Sequence, residues 1–371
     1  MTTFVKAAVH SGAQTLPRRY YASEEIFRAE TERIFYSRWT LVGRAEQIPR
    51  PGDYMLVQLI NESIIVVKGR DGVARAFFNV CRHRGTRICT EERGHFTGSI
   101  QCPYHAWTYG LDGQLIAARY MQQTKGFDKR DYPLHAVALA EWEGFLFLNL
   151  ALEPEPFEHA FAPLIGKFQA WHMPELRAAR RIEYDVQANW KLLVQNYSEC
   201  YHCSLIHPAL ARLSPPTSGR NDLFRGPFLG GYMTMNDTVD SMTIDGRTAR
   251  PPLGEVAGAE LNRVYYYSFF PNMLLSLHPD YVMAHTLWPL AIGRTHIVCE
   301  WFFDPVTMAR PDFDPSDAIE FWDLTNRQDW RVCELSQLGI SSIAYTPGPY
   351  AQAEGLLHAF DQEYLRVMGE T

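Results

Sequence analysis

The sequence lacks a hydrophobic run long enough to cross a membrane. Its longest apolar stretch, residues 145–152, is interrupted by Asn149, whereas a membrane helix needs about 20 consecutive apolar residues. Residues 1–21 lack the apolar core of a secretory signal, so we expect no leader. The formal net charge of −7 gives no overall attraction to nucleic acid. These absences argue against a membrane protein and against a nucleic-acid-binding protein.

The sequence also lacks the cysteine pattern of a disulfide framework. It contains seven cysteines, which is an odd number. Two of them belong to motifs described below, and the spacing of the others does not suggest pairing. Those others are Cys89, Cys200, Cys203, Cys299 and Cys333. We therefore expect free thiols and a reducing, cytoplasmic location.

The composition is that of an ordinary globular protein with room for two domains. The 371 residues are 46% hydrophobic and 21% charged, and they contain no internal repeat. We expect a helical lead-in at residues 1–40 that packs on the second domain, a first domain at 41–155 and a second at 156–371. Ser23 is the expected N-cap of a helix in the lead-in. The Pro/Glu stretch at 153–156 marks the expected domain boundary.

The pattern of apolar and turn-forming residues predicts an α+β protein. Strands are predicted at 54–60, 63–67, 74–80 and 144–148, as a small antiparallel domain, and then at 265–269, 273–277, 281–287 and 295–303. Helices are predicted at 157–171, 189–203, 315–337 and 353–367. Residues 208–262 are predicted to form a long irregular insertion. We interpret the basic residues Arg177, Arg180 and Arg181 as a solvated helix end.

Two short motifs in the first domain each combine one cysteine with one histidine. They are Cys81-x-His83 and Cys102-x-x-His105. Two sulfur donors and two imidazole donors suit a [2Fe–2S] centre of the Rieske type, in which histidine replaces cysteine on one iron. We expect the motifs to lie on loops at the tips of the small sheet, where their ligands can converge. The four residues therefore predict a one-electron carrier.

Structural zinc is the alternative interpretation of these motifs, because zinc also accepts two cysteines and two histidines. Zinc modules usually begin with a Cys-x₂₋₄-Cys pair and end with a pair of histidines. In this sequence each half is mixed. We therefore favour the iron–sulfur cluster.

A second candidate metal site lies in the helix predicted at 189–203. Glu199 and His202 are three residues apart and would share a helical face. His207 follows five residues after His202, so a regular helix would turn it away, and we expect the helix to end between them, near Pro208. Two histidines beside an acid suggest half of a 2-His-1-carboxylate iron site, although unrelated core or surface histidines also occur at this spacing. A nearby electron carrier favours the iron site.

The missing carboxylate is expected on the helix predicted at 315–337. Asp329 lies on a mostly uncharged stripe of that helix, with Trp322 and Cys333. Asp323 shares a more charged face with Arg327. An acid on the inward stripe needs a partner charge, which a ferrous ion or an arginine would provide. We choose Asp329 over Asp323 as the third ligand.

These residues carry a resemblance that covers essentially the whole chain. The chain resembles the catalytic α subunits of Rieske non-haem iron oxygenases, the aromatic-ring-hydroxylating type. The resemblance rests on the two cluster motifs, the stretch NYSECYHCSLIHP and the helix FWDLTNRQDWRVCELSQLGISS. It implies a small antiparallel Rieske domain, a helix-grip catalytic domain with a central antiparallel sheet, and a homotrimer built head to tail.

The resemblance also implies a role for each site residue. The cluster ligands would be Cys81 and Cys102 on one iron and His83 and His105 on the other. The ligands of the mononuclear iron would be His202, His207 and Asp329. Glu199 would connect His202 to His105 of the neighbouring subunit and so carry electrons between the two centres.

Glu199 departs from the commonest pattern of the family, which has aspartate at this position. The longer side chain resembles the glycine betaine and carnitine branch, whose members attack quaternary ammonium compounds. We therefore predict a terminal oxygenase that uses O₂ and electrons from NAD(P)H, delivered by a separate flavin/iron–sulfur reductase, to demethylate a quaternary amine such as a betaine. The alternatives are hydroxylation of an aromatic acid or arene, by one oxygen atom or two, and a non-catalytic Rieske electron carrier.

A cationic substrate would favour aromatic walls. The candidates from the sequence are Tyr197, Tyr201, Phe224, Phe228, Phe269 and Trp288. For a carboxylate on the substrate, the candidates are Arg220 and Arg225.

Overall fold

The computed structural model describes residues 3–370. It divides the chain into two compact units. One unit is Phe35–Phe157, and the other combines the segment up to Ile34 with the segment from Glu158 onward. The boundaries expected from the sequence, at 40/41 and 155/156, differ from these by six and two residues.

Short strands build two antiparallel sheets in the unit Phe35–Phe157. A seven-stranded sheet has the order β1-β10-β9-β4-β3-β2-β5, and a three-stranded sheet has the order β6-β7-β8. The antiparallel domain expected from the sequence is confirmed. The predicted strands correspond to β2, β3, β4 and β10. The strands are β1 (Thr40–Arg44), β2 (Asp53–Leu59), β3 (Glu62–Lys68), β4 (Ala74–Phe78), β5 (Arg93–His95), β6 (Ser99–Gln101), β7 (Thr108–Gly110), β8 (Leu115–Ala117), β9 (Ala136–Trp142) and β10 (Phe145–Asn149).

A second seven-stranded antiparallel sheet forms the centre of the larger unit. Its order is β11-β17-β16-β15-β14-β13-β12. The middle strand β15 is buried along its whole length, which explains its continuous apolar sequence. The strands are β11 (Arg177–Val186), β12 (Arg220–Phe224), β13 (Phe228–Thr234), β14 (Arg263–Phe269), β15 (Met273–Leu277), β16 (Val282–Ala291) and β17 (Arg294–Phe303).

The longest α-helix in the described part of the chain, α8, lies on this sheet. The Trp322 indole on α8 donates a hydrogen bond of 2.6 Å to the Tyr281 hydroxyl, and both side chains are buried. Ser23 caps α2 by accepting from the backbone N–H of Ile26, as the sequence predicts. The helices are α1 (Arg19–Ala22), α2 (Glu24–Glu30), α3 (Phe157–Ala160), α4 (Trp190–Tyr197), α5 (Cys203–Ile206), α6 (Pro208–Leu213), α7 (Pro305–Met308), α8 (Ser316–Ile340) and α9 (Gly355–Met368).

Several predicted elements differ from the observed ones. The basic segment at Arg177 is not a helix end but the edge strand β11, where charged side chains discourage pairing with another chain. The helix predicted at 157–171 is reduced to the single turn α3 and a 3₁₀ turn at Gln169–Trp171. The predicted insertion at 208–262 contains α6 and two strands of the central sheet. The strand β13 was not predicted, because Gly230 and Gly231 weaken the strand pattern of the sequence.

Those two glycines are required by the close approach of neighbouring strands. A side chain on Gly230 would meet the Tyr266 carbonyl oxygen at 2.1 Å, and one on Gly231 would meet the Arg220 carbonyl oxygen at 1.9 Å. Both contacts are far shorter than packed atoms allow. The sheet therefore selects glycine where propensity alone would predict a loop.

The lead-in is attached to the larger unit by a buried ion pair. Glu30 of α2 accepts hydrogen bonds from the Lys191 ammonium at 2.5 Å, the Trp190 indole at 3.0 Å and the Tyr364 hydroxyl at 2.7 Å. The side chains of Glu30 and Lys191 are fully buried. Such a pair is tolerated only when its remaining polar groups are also bonded, as the Glu30 carboxylate is here.

Among residues 3–370, no helix is long and apolar enough to cross a membrane.

Candidate functional site

The two cysteine–histidine motifs fold into two loops with the same backbone pattern. In the first loop, Cys81 N–H donates to the Thr86 carbonyl at 2.8 Å and Gly85 N–H donates to the Cys81 carbonyl at 2.9 Å. In the second, Cys102 N–H donates to the Trp107 carbonyl at 2.8 Å and Ala106 N–H donates to the Cys102 carbonyl at 3.1 Å. Each loop therefore fixes its cysteine by one donated and one accepted bond.

The fifth residue of each loop has a left-handed backbone. Gly85 has φ +73°, and Ala106 has φ +56°. Glycine adopts this conformation freely, whereas alanine does so at a cost in free energy. The left-handed conformation of Ala106 is therefore imposed by the surrounding structure of the second loop.

The two thiols lie together in the core of the unit. Cys81 and Cys102 are 3% and 2% exposed, and the Tyr109 hydroxyl lies 3.4 Å from Cys81 Sγ. Burial raises the pKa of the Cys102 thiol, and the adjacent Cys81 adds to this effect. The backbone N–H groups of Tyr104 and His105 act in the opposite direction. A bound cation would stabilise both thiolates in this buried position.

The two imidazoles lie together nearer the surface, half-buried. The His83 and His105 rings are 4.7 Å apart, and His83 stacks on Trp107 with an interplanar angle of 8°. Burial lowers the pKa of His83, and the neighbouring His105 and Arg84 lower it further, so the ring is neutral. Its Nδ1 atom is buried and has no hydrogen-bond partner in the described part of the chain.

This donor set fits a Rieske cluster. Two adjacent buried thiols and two adjacent imidazoles match the requirement for one sulfur-ligated and one nitrogen-ligated iron. Neutral imidazole is the form that binds a metal, and the unsatisfied Nδ1 of His83 would gain a partner. The structure thus brings together the four residues predicted from the sequence, and their role as cluster ligands stays a prediction.

The second candidate site begins where α4 ends. The helix predicted at 189–203 is wrong at its end, because α4 stops at Tyr197 and Glu199 lies in a turn rather than on a helical face. His202 and His207 then flank the single turn of α5 as its N-cap and C-cap residues. The chain changes direction between the two histidines, and so both imidazoles can face one point.

That point is occupied by the carboxylate of Asp329 from α8. The Asp329 Oδ1 atom lies 2.8 Å from His207 Nε2 and 3.3 Å from His202 Nε2. One candidate ligand atom from each of these residues lies within 4.8 Å of the other two. Asp323, the rejected alternative, instead accepts from the Tyr184 hydroxyl at 2.7 Å and from Arg327 at 2.9 Å. The inward stripe of α8 therefore identified the carboxylate that meets the histidines.

The other nitrogen of each imidazole is held by its own acceptor. His202 Nδ1–H donates to Glu199 Oε1 at 2.5 Å, and His207 Nδ1–H donates to Gln328 Oε1 at 2.8 Å. These bonds fix the ring orientations and leave both Nε2 atoms directed at Asp329. Sequence reasoning did not identify Gln328, and its only signal was its position next to Asp329.

The electrostatics also fit a cation at this point. Burial opposes a charged His202, but the bonds to Asp329 and Glu199 outweigh it and raise its pKa to about 10. Burial likewise opposes an ionised Asp329, but the bonds from His202 and His207 lower its pKa. Two imidazole nitrogens and a carboxylate oxygen that face one another form the donor set of a 2-His-1-carboxylate iron site. A metal ion would replace the protons between these atoms.

A cavity of about 550 Å³ opens onto this group. Of the aromatic side chains proposed from the sequence, Tyr197 and Tyr201 line it. Neither Arg220 nor Arg225 does, because the Arg220 guanidinium bonds to loop carbonyls and that of Arg225 lies over Phe224. The other proposed aromatic residues do not line the cavity, and Tyr232, Tyr266 and Trp322 line it instead. Among the lining aromatic residues, Tyr232 and Tyr266 lie on the strands β13 and β14, and Trp322 lies on α8.

A disulfide joins Cys200, in the turn before α5, to Cys203, the first residue of α5. The expectation that both are free thiols is therefore wrong. The turn that ends α4 brings their Cα atoms to 4.9 Å, within the usual range for a disulfide, although a three-residue separation does not suggest a framework. The other five cysteines are free.

Comparison with protein families gives matches over both units. Residues 38–128 match the Rieske [2Fe–2S] domain, and residues 173–370 match the catalytic domain of the ring-hydroxylating α subunit. The glycine betaine monooxygenase oxygenase subunit of Pseudomonas aeruginosa is 30% identical to the chain, over 96% of this chain and 90% of that protein. The corresponding subunit of Chromohalobacter salexigens is 32% identical, over 92% and 82%.

Solved structures agree with these matches. The quaternary ammonium Rieske monooxygenase CntA, solved with an inhibitor, has a TM-score of 0.81 at 26% identity, covering 96% of each chain. The naphthalene 1,2-dioxygenase of a Rhodococcus species has a TM-score of 0.73 at 18% identity, which shows a shared fold.

The two matched domains imply a [2Fe–2S] cluster and a mononuclear iron. An oxygenase subunit of this kind depends on O₂ and on a reductase. The interpretation as a simple electron carrier is excluded by the catalytic domain. The chain belongs to the family of Rieske-type, ring-hydroxylating oxygenase α subunits.

Proposed function

We propose that this oxygenase removes an N-methyl group from a quaternary ammonium compound such as a betaine. O₂ and two electrons from NAD(P)H hydroxylate one methyl carbon, and the other oxygen atom leaves as water. The hydroxymethyl product breaks its C–N bond and releases formaldehyde and the tertiary amine. The electrons come from a separate flavin/iron–sulfur reductase.

The cavity at the His202, His207 and Asp329 group is the observation that supports this substrate class. Tyr197, Tyr266 and Trp322 provide aromatic walls beside that group. A cation over such a ring gains up to about 2 kcal/mol when both are removed from water. Relatives named as glycine betaine and carnitine monooxygenase subunits support the same class.

We assign ligand roles on the basis of the two donor sets. Cys81 and Cys102 would hold one iron of the cluster, with His83 and His105 on the other. His202, His207 and Asp329 would hold the mononuclear iron. When bound, the cluster supplies single electrons and the ferrous ion supplies the activation of O₂. Glu199 and Gln328 keep the two imidazoles oriented, and the cavity walls exclude water from the substrate.

We further propose a homotrimer in which Glu199 connects His202 to His105 of the neighbouring subunit. The Glu199 carboxylate already accepts from His202 and from the backbone N–H of Tyr201. A carboxylate has about four acceptor positions, so further donors can bind. A relative's structure was described in terms of inter-subunit electron transfer, which supports this arrangement. We propose the cytoplasm as its location, because NAD(P)H is supplied there and the cysteines outside the cluster motifs and the Cys200–Cys203 pair are free thiols.

The test is a substrate screen with iron-loaded protein, NADH and a surrogate reductase. We expect glycine betaine or carnitine to stimulate oxygen uptake and to release one formaldehyde per NADH consumed. The Asp329→Ala variant serves as the negative control. Stimulation by aromatic acids alone, without formaldehyde, would overturn the amine assignment and favour arene hydroxylation.

A further inference from the structure

The cavity has one cationic side chain of the lysine or arginine type in the described part of the chain. It is Lys6, which comes from the segment before α1 rather than from the sheet or the helices around the iron site. The acidic residues that line the cavity, Glu199 and Asp329, are bonded to histidines. The cavity therefore has an acidic, histidine-rich region and a separate basic residue.

The segment that carries Lys6 is fixed on both sides. Val5 and Asn221 of β12 exchange two backbone hydrogen bonds, of 2.8 Å and 2.6 Å. The Asn221 side chain also accepts from the backbone N–H of Ala7 at 3.2 Å. Lys6 lies between these two anchored residues, so its backbone is placed at the cavity wall by the edge strand.

The opposite side of the segment contacts the start of α9. A side chain at Gly355 would meet the Ala7 carbonyl oxygen at 2.4 Å, so the segment passes directly over the first residue of that helix. The Phe4 ring packs edge-on against Tyr232, itself a cavity residue, at 4.8 Å between ring centres. The segment is thus part of the cavity wall.

The Lys6 ammonium is not committed to another group. It has no ion pair and no side-chain hydrogen bond among residues 3–370. Lys6 is exposed to solvent, whereas the side chain of Asp329, at the iron site, is only 16% exposed. A charged group that lines a cavity without an internal partner is available for a ligand of opposite charge.

We propose that Lys6 is a specificity-determining residue that binds an anionic group, a carboxylate, at the end of the substrate remote from the methyl group that reacts. This inference rests on the proposed N-demethylation. The cation of the substrate lies against the aromatic walls near the histidines, and the carboxylate pairs with Lys6. Substrates with a neutral end group lose this contact.

The variants that test the proposal differ in charge at one position. Lys6→Gln removes the cation and keeps a long polar side chain, and Lys6→Arg restores the charge. Arg225→Gln is the matched control, because it removes the same charge next to β12 from an exposed residue that does not line the cavity. The substrates are glycine betaine, γ-butyrobetaine and choline, which share the trimethylammonium group and of which choline alone lacks the carboxylate.

The readouts are formaldehyde release, for KM and kcat, and thermal unfolding as a check on folding. We expect Lys6→Gln to raise the KM for the carboxylated substrates by about tenfold, which corresponds to the weaker end of hydrogen bonds to charged groups. We expect an unchanged KM for choline, restoration in Lys6→Arg and no selectivity change in Arg225→Gln. An interaction made equally in the ground state and the transition state changes KM and leaves kcat.

Two results would overturn the inference separately from the proposed function. If the wild-type enzyme demethylates these amines but Lys6→Gln changes all KM values equally or none, Lys6 does not select the substrate. If the wild-type enzyme releases formaldehyde from none of the three, the proposed N-demethylation itself is wrong, and the role of Lys6 falls with it.

Discussion

The buried carboxyl of Asp361 predicts an unusual dependence of stability on pH. Asp361 lies on α9 and accepts from Gln195 of α4 at 2.7 Å and from the Tyr350 hydroxyl at 2.5 Å. Burial raises its pKa from 3.8 to about 7, although the two hydrogen bonds and the charge of Lys191 act in the opposite direction. Because α4 leads directly into the turn that carries Glu199, the protonation of this carboxyl affects the stability of the helix that precedes the iron site.

The sign of the effect follows from proton binding. Between pH 3.8 and about 7, the folded state holds a proton on Asp361 that the unfolded state has lost. The favourable contribution of this proton to the free energy of unfolding is therefore present in acid and is lost as the pH rises towards 7. A difference of about 3 pKa units corresponds to about 4 kcal/mol between the two limits.

The test compares the wild type with Asp361→Asn. The amide is neutral at every pH and can still accept from Gln195, so the variant lacks the titration. We expect the two proteins to have similar unfolding free energies at pH 4, and the variant to be more stable by up to about 4 kcal/mol at pH 8. The measurement is urea unfolding at several pH values, read as the difference between the proteins so that other titrations cancel.

Asp312→Asn, which removes an exposed carboxyl, controls for the change in net charge. A pH-dependent difference of the same size in this variant would attribute the effect to net charge rather than to the buried carboxyl. An Asp361→Asn difference that is flat between pH 4 and 8, or that favours the wild type in alkali, would refute the reasoning.

Three further predictions concern the site itself. Asp329→Ala should lower the iron content from three to two atoms per chain and leave the visible spectrum of the cluster unchanged, whereas Asp323→Ala should keep all three iron atoms. Iron counting and absorbance measure both variants, and loss of iron in Asp323→Ala alone would identify Asp323 as the ligand. Glu199→Gln should retain both iron centres but stop electron transfer between them, because the hydrogen bond to His202 loses its charge. Rapid mixing of reduced enzyme with substrate and O₂ measures the electron transfer, and normal turnover would show that the bridge is elsewhere. Cys203→Ser should lower the unfolding free energy by about 2 kcal/mol, the loop-entropy value for a four-residue ring; the wild type in a strong reductant should match the variant, and equal stability of the oxidised wild type and the variant would contradict the prediction.

The sequence was most informative where a local pattern determines the structure. Both cluster motifs could be identified from residue type and spacing, because their ligands lie within four residues of one another along the chain. Asp329 could be chosen because a single long helix has one inward stripe. The strand Met273–Leu277 was predicted with its observed limits, since it is buried on both faces and reads as a continuous apolar run.

The sequence was least informative where distant segments decide the outcome. Gly230 and Gly231 look like a loop, but the neighbouring strands leave no room for a side chain there. The positions of Gln328 and Lys6 beside the site follow only from the folded chain, because Gln328 contacts His207 and the segment around Lys6 contacts Asn221, each more than 100 residues away along the chain. The early end of α4 at Tyr197 was also missed, since the residues that follow it have no helix-breaking glycine or proline before Pro208.

The different acceptors behind the two histidines separate their roles. Gln328 is neutral and orients His207, which is almost completely buried, with 1% of its side chain exposed. Glu199 is an acid, and its bond to His202 contributes to the raised pKa of that imidazole. Its partner His202 is 16% exposed, so this imidazole is the one that a group from outside the site can approach. A bridge to a second histidine requires an acid that can accept a further hydrogen bond and that lies beside the more accessible histidine. Glu199 meets this requirement, whereas Gln328, behind the buried His207, does not. The asymmetry of the two acceptors therefore supports the proposal that electrons reach the iron site through Glu199.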